Sequence, residues 1–172
     1  MRRAMLIAGA MMLGGVTLAQ IASRWEYTEQ HDPLRNQTAD VFVLKGTFAA
    51  SPRSGAVDPS LVIACMDGKV HRNFFDFGTA IRYEGGPGTG TWAHTYLKAN
   101  IDGKKTSINA NHVSDDGHTA FFTRGELKNI LKAHRVVVGA RELLGGGEFI
   151  SEFDISDPSQ IFDKCAKDSA IR

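Results

Sequence analysis

The residues with the clearest potential for chemistry are His112, Asp115, Asp116 and His118, which fall close together in the sequence. Imidazole and carboxylate groups both bind borderline cations such as Zn²⁺, so this cluster could serve a small secreted hydrolase or another metal-dependent enzyme. Its spacing matches no established ligand pattern. Asp115-Asp116-Gly117 is also typical of a tight turn, because Asp tolerates turn geometry and Gly adopts positive φ. We therefore predict a turn and no metal site, and keep the enzyme as the alternative function.

A glycine-rich stretch, Gly85 to Gly90, is the other segment that could do chemistry, because such loops can cradle phosphate groups. A phosphate loop needs a following helix whose N-terminal amides complete the anion site, and often a lysine at fixed spacing. Thr91 to Tyr96 has the composition of a strand, and no lysine stands where it is needed. No serine lies in a nucleophile-elbow pattern either. We predict a hairpin connection here, and no catalytic or cofactor-binding residues in the chain.

The N-terminus has the three parts of a secretory signal peptide. Met1-Arg2-Arg3 is basic, Ala4 to Val16 is an uninterrupted run of apolar and small residues, and Thr17-Leu18-Ala19 offers small residues for cleavage. The apolar run is shorter than the roughly 18 to 20 residues of a membrane-spanning helix, so cleavage is favoured over a lasting membrane anchor. The sequence therefore predicts a signal peptide over residues 1–19, a mature chain that begins at Gln20, and a periplasmic or secreted bacterial protein.

The chain contains two cysteines, Cys65 and Cys165. Disulfides form and persist outside the cytoplasm, and two cysteines in an exported chain most simply form one bond. Cys65 follows the apolar run Leu61 to Ala64, and Cys165 follows Ile161 by one helical turn. We predict a Cys65–Cys165 disulfide that joins the C-terminal helix to the sheet.

Charge and composition limit the possible partners. The 20 basic and 19 acidic residues nearly cancel and form no long run of one sign. Nucleic acids and anionic membranes are bound through concentrated Lys and Arg, so neither is expected as the main partner. Eighteen glycines and ten phenylalanines suit a β-rich protein with many turns. Residues 20–172 have the length of one domain and contain no linker or repeat, so a single β-rich domain is predicted.

Period-two patterns and turn dipeptides predict most of the strands. Trp25 to Gln30 alternates, and Val41 to Leu44 is a continuous apolar run that indicates a central strand. Asp67-Gly68 predicts a hairpin after Leu61 to Ala64, with Val70, Arg72 and Phe74 on one face of the second strand. Asp102-Gly103 is a further turn signal inside the polar segment from Lys98 to Asn111.

The last third of the chain also contains two helix signals. Thr123-Arg124-Gly125-Glu126 is a capping box, and Leu127, Ile130 and Leu131 follow at helical spacing. Asp157 is predicted to cap a final helix with Pro158 at its first position. The fold class predicted from these patterns is α+β: mostly antiparallel β, as a sandwich or a strongly curved sheet, with two short helices in the C-terminal third.

The order of these elements resembles that of the periplasmic VasI/TagO family, which is associated with type VI secretion. The resemblance covers an early Trp strand, the strand Leu61-Val62-Ile63-Ala64-Cys65, the run Glu126-Leu127-Lys128-Asn129-Ile130-Leu131, Phe149 to Phe153 and a terminal helix ending at Cys165. It implies an accessory role in the cell envelope, with a protein partner that could belong to secretion machinery. We therefore expect an exported accessory or binding protein without catalysis of its own.

Overall fold

The computed structural model describes residues 24–32, 36–50, 58–86, 91–144 and 146–172. The predicted signal peptide, residues 1–19, lies outside the described residues. Within these ranges the chain forms eleven strands and two helices. None of the helices in this part of the chain is long and apolar enough to cross a membrane.

The strands fall into two groups along the chain. The first five are β1 (Trp25–Asp32), β2 (Gln37–Lys45), β3 (Thr47–Ala50), β4 (Ser60–Met66) and β5 (Lys69–Asp76). The next six are β6 (Glu84–Gly86), β7 (Thr91–Ile101), β8 (Lys104–Val113), β9 (Thr119–Phe122), β10 (Arg135–Arg141) and β11 (Glu148–Asp154). Helix α1 (Arg124–Leu131) lies between β9 and β10, and α2 (Ser159–Lys164) follows β11. The predicted α+β class, mostly antiparallel β with two C-terminal helices, is confirmed.

All the strands belong to one antiparallel sheet. The order along it is β1-β2-β4-β5-β9-β8-β7-β10-β11-β3, and β6 pairs separately with β7. β2 is second along this path and β3 is last, although only Gly46 separates the two strands in sequence. A chain cannot join both ends of an extended sheet through one residue. The sheet therefore folds back on itself, and the β2–β3 segment contributes to both of its ends.

The core is enclosed by this folded sheet. Rings from strands that are distant along the sheet meet inside it: Phe75 of β5 lies 5.3 Å from Phe153 of β11, centroid to centroid. Phe77, just after β5, lies 5.4 Å from Phe149 of β11. All four of these side chains are fully buried. Packing of aromatic rings across the interior thus holds the two halves of the sheet together.

The β4–β5 hairpin confirms the predicted turn and corrects the predicted faces. Asp67 and Gly68 have φ values of 52° and 77°, the left-handed geometry that a two-residue hairpin turn requires. Beyond the turn, Cys65 pairs with Val70 but Ala64 pairs with Arg72, so His71 is an extra residue in a bulge. The predicted face of Val70, Arg72 and Phe74 is therefore wrong.

The two helices begin close to the predicted positions. Thr123 is the N-cap of α1, and its Oγ1 accepts a hydrogen bond from the Glu126 amide at 3.3 Å. The N-cap of α2 is Pro158, so this helix begins one residue later than predicted. Asp157 still contributes, because its Oδ1 accepts a hydrogen bond from the Ser159 hydroxyl at 2.6 Å.

The C-terminal region is joined covalently to the sheet. Cys65 of β4 and Cys165, the C-cap of α2, form the predicted disulfide, with their Cα atoms 5.6 Å apart. Both cysteines are fully buried. The bond fixes the end of α2 against β4.

Candidate functional site

A cleft opens where two neighbouring strands part. β7 and β10 are paired from Ile101 and Val136 as far as Lys98 and Gly139. Beyond that point the segment from Ile81 to Glu84 connects the two strands. Ile81 forms a β-bridge with Glu142, directly after β10, and Glu84 pairs with His94 of β7. The resulting cleft has a volume of about 820 Å³. That volume is within the range of ligand sites in proteins.

The cleft combines apolar and charged groups. Val137 of β10 and the exposed Ile150 of β11 contribute apolar surface, and Tyr83 and Tyr96 contribute aromatic rings. The charged side chains of the lining, apart from His94, are Arg82, Lys98, Lys105, Arg141, Glu84 and Glu148. These four cations outnumber the two carboxylates. The cleft therefore favours a ligand that has both apolar and acidic groups.

Glu148 is the centre of an ion-pair network on one wall of the cleft. Its Oε1 accepts hydrogen bonds from Lys98 Nζ at 2.9 Å and from Arg141 Nε at 3.1 Å. Lys98 is opposite Gly139 in the β7–β10 pairing, and because glycine has no side chain, Lys98 can reach across β10 to β11. The hydrogen bonds from Lys98 and then Arg141 lower the pKa of Glu148. The network thus fixes two of the four cations in position.

An aromatic strip lies beside the cleft on the outer face of β7. Trp92, His94 and Tyr96 alternate with inward-facing residues of the strand, and together with Asn109 and Asn111 of β8 they line a shallow groove of about 300 Å³. Trp92 is 78% exposed and Tyr96 is 67% exposed. His94 and Tyr96 also line the cleft, so the two features are continuous. We use the name aromatic strip for Trp92, His94 and Tyr96.

Of the four residues with metal-ligand chemistry, Asp115 and Asp116 lie in the predicted turn and His112 lies in β8. Asp116 Oδ1 accepts hydrogen bonds from Ser114 Oγ at 2.6 Å and from the His118 amide at 3.0 Å, and these bonds lower its pKa. Gly117 has a φ of 76°, as the predicted turn requires. The ring of His112 instead contacts two aromatic rings, those of Phe121 and Trp92, with centroids 5.3 and 5.7 Å away.

The side chains of His112 and Asp116 therefore have different structural roles, one in ring packing and one in the turn. Asp115 is exposed and lies in the same turn as Asp116. Across the described part of the chain, no three His, Cys, Asp or Glu side chains form a group that could hold a metal ion.

Sequence reasoning did not identify the cleft. Its charged residues come from five separate segments, around Arg82, Lys98, Lys105, Arg141 and Glu148, and only the strand pairing brings them together. The aromatic strip did carry a signal, because Trp92 and Tyr96 are an even number of residues apart in a predicted strand and so share one face. No protein-family model, curated protein or solved structure matches this chain.

Proposed function

We propose that this chain is an exported binding protein of the bacterial cell envelope, with no catalysis of its own, and that it binds a partner protein in the cleft between β7 and β10. The observation that carries the proposal is the cleft itself: about 820 Å³, apolar and aromatic at its surface and predominantly cationic in charge. Tyr and Arg, which line it, are enriched among the residues that dominate protein–protein binding energy.

The charges of the cleft define the kind of partner. Arg82 and Lys105 have no ion pair with another described side chain, whereas Lys98 and Arg141 share Glu148. An acidic side chain of a partner can therefore pair with Arg82 or Lys105 without displacing an existing bond. The proposed partner segment is acidic, contains apolar residues and lies along the cleft. An accessory role in secretion machinery, as the VasI/TagO resemblance implies, is compatible with such a segment.

Export is the second part of the proposal. The Cys65–Cys165 disulfide is consistent with a location outside the cytoplasm, where such bonds persist. Intact-mass measurement of the protein from the bacterial periplasm or medium should give a chain that begins near Gln20. Recovery of the chain with Met1 still attached would contradict export by signal cleavage.

Binding can be tested with a displayed peptide library. The exported protein should enrich peptides that combine Asp or Glu with apolar residues, and Arg82→Ala or Arg141→Ala should weaken their binding about tenfold or more, since hydrogen bonds to charged groups contribute about 1.5 to 3 kcal/mol. Lys132→Ala is the control, because it removes one exposed cation at the end of α1, outside the cleft. The proposal is wrong if no acidic peptides are enriched, or if all three variants bind them as the parent does.

A further inference from the structure

The groove beside the aromatic strip differs from the cleft in its charge. Its lining consists of Trp92, His94, Tyr96, Asn109 and Asn111. Neither a carboxylate nor a lysine or arginine contributes to it, and His94 is its one titratable group other than the Tyr96 phenol. An acidic peptide would therefore find its complement in the cleft and not in this groove. The groove suits an uncharged ligand.

The two exposed rings of the strip are arranged in a line. Trp92 and Tyr96 lie on the same face of β7, four residues apart, which at about 3.3 Å per residue separates their Cα atoms by about 13 Å. Planar aromatic rings offer flat apolar surfaces at low cost in side-chain entropy. Two such surfaces in a row match an extended ligand with repeated flat apolar faces.

The Trp92 ring has an aromatic neighbour although it is 78% exposed. The His112 ring packs against it at an interplanar angle of 82°, and His112 is itself supported by Phe121. On the strip, His94 Nδ1 lies 3.1 Å from the Trp92 carbonyl oxygen. A ring with such a neighbour has less freedom to lose on binding, and most of the Trp92 surface remains available to a ligand.

The amides on the other side of the groove supply hydrogen bonds. Asn109 is directly opposite Tyr96 in the β7–β8 pairing. Within the described ranges, neither the Asn109 nor the Asn111 carboxamide has a hydrogen-bond partner. Each carboxamide offers two donors and one acceptor oxygen. Hydroxyl groups, which both donate and accept, are the natural complement of such amides.

We infer that the groove between the aromatic strip and Asn109 and Asn111 is a binding site for a neutral carbohydrate chain. A pyranose ring has an apolar C–H face, which stacks on an aromatic ring, and hydroxyl groups at its edge, which bond to amides. This site is distinct from the cleft that we propose to bind a protein, although His94 and Tyr96 line both. Trp92 and Asn111 line only the groove, whereas Arg82 and Arg141 line only the cleft.

Tryptophan fluorescence gives a direct test, because the chain has two tryptophans, of which Trp25 is buried and Trp92 is exposed. The exported protein is titrated with chitohexaose, cellohexaose and maltoheptaose. At least one of them should shift the emission to shorter wavelength. Affinity measured by calorimetry should fall about tenfold or more in Tyr96→Ala and Trp92→Ala, as expected for central aromatic contacts. Arg141→Ala should leave sugar binding unchanged.

Three results would overturn the inference. The first is that none of the three sugars binds, and the second is that binding survives Trp92→Ala. The third is that Trp92 emission depends on protein concentration and analytical ultracentrifugation shows a dimer that Trp92→Ala dissociates, because the strip would then be a contact between copies of the chain. Melting curves of the variants check folding, and the peptide-binding assay with Arg82→Ala reports on the cleft independently of all three.

Discussion

At the scale of single residues, Asp102 shows how one side chain connects two parts of the fold. It lies with Gly103 in the β7–β8 turn, at φ values of 48° and 85°. Its carboxylate accepts hydrogen bonds from the amides of Arg135, at 2.8 Å, and His134, at 3.0 Å. The turn was predictable, because Asp-Gly is a local signal. The two amide partners, more than thirty positions away, were not.

Asp102 should make the free energy of unfolding depend on pH in the acidic range. The amides of Arg135 and then His134 lower its folded pKa below the unfolded value of about 3.9, so its stabilisation is complete above about pH 4 and is lost as pH falls through the folded pKa. Asp102→Asn should therefore unfold more easily in denaturant at pH 7 but differ less from the parent at pH 3. The exposed Asp115→Asn is the control. A difference between parent and Asp102→Asn that is the same at both pH values would contradict this role.

Asp168 is a second residue whose role is visible only in the structure. It is 4% exposed, and its Oδ2 accepts a hydrogen bond from the Val70 amide at 3.1 Å, while Arg124 Nη1 lies 3.5 Å away. Its Oδ1 also accepts a hydrogen bond from the Ala170 amide at 3.0 Å. Asp168→Ala removes all three contacts and should lower the free energy of unfolding by at least about 1.5 to 3 kcal/mol, the contribution of one hydrogen bond to a charged group. Chemical denaturation measures this. Asp163→Ala, on the exposed side of α2, should change stability by less than about 0.5 kcal/mol, and equal losses in both variants would refute the proposed role.

At the scale of elements, strand existence was easier to predict than strand register. The hairpin at Asp67-Gly68 and the α1 cap at Thr123 follow from local chemistry and were correct. The predicted faces of β5 were wrong, because the bulge at His71 shifts the alternation of side chains by one residue. The bulge allows both Val70 and Asn73 to be buried against the neighbouring strands. No pattern in the local sequence indicates it.

Gly46, which joins β2 to β3, has no room for a side chain. A Cβ atom there would lie 2.6 Å from Phe153 Cε1 and 2.8 Å from the Glu152 carbonyl oxygen. Gly46→Ala should therefore destabilise the protein by about 1 to 3 kcal/mol, the usual cost of overpacking. Gly125→Ala is the matched control: its Cβ would have one neighbour, at 3.8 Å, and Ala favours the helix by up to about 1 kcal/mol. Thermal melts should move in opposite directions, and a neutral Gly46→Ala would argue against a tight β2–β3 connection.

At the scale of the whole molecule, the strand order was beyond sequence reasoning. Nothing local indicates that β2 and β3, which are adjacent in sequence, occupy distant positions along the sheet. The cleft depends on that order, because it forms where β7 leaves β10 for β6. The sequence therefore predicted neither the cleft nor the closure of the sheet, because both depend on the strand order. The disulfide was predictable, because the prediction required only that the chain has two cysteines and carries a signal for export from the cytoplasm.

That disulfide should be the strongest single constraint on the fold. It closes a loop with a sequence separation of 100, for which chain-entropy arguments give about 4 to 5 kcal/mol, an upper guide because residual structure in the unfolded chain reduces it. A typical domain is stable by about 5 to 15 kcal/mol, so the loss is severe. Cys65→Ser and Cys165→Ser should lower the denaturation midpoint by similar amounts.

The double variant decides whether these losses have one cause. Because both substitutions break the same bond, the Cys65→Ser, Cys165→Ser protein should be hardly less stable than either single variant. Thiol titration of the native oxidised parent should find no free thiol, since both cysteines are in the bond. Additive losses of stability, or two titratable thiols, would mean that α2 is held against β4 by packing alone. Hydrogen exchange of the residues after Cys165 would then be as slow in the double variant as in the parent.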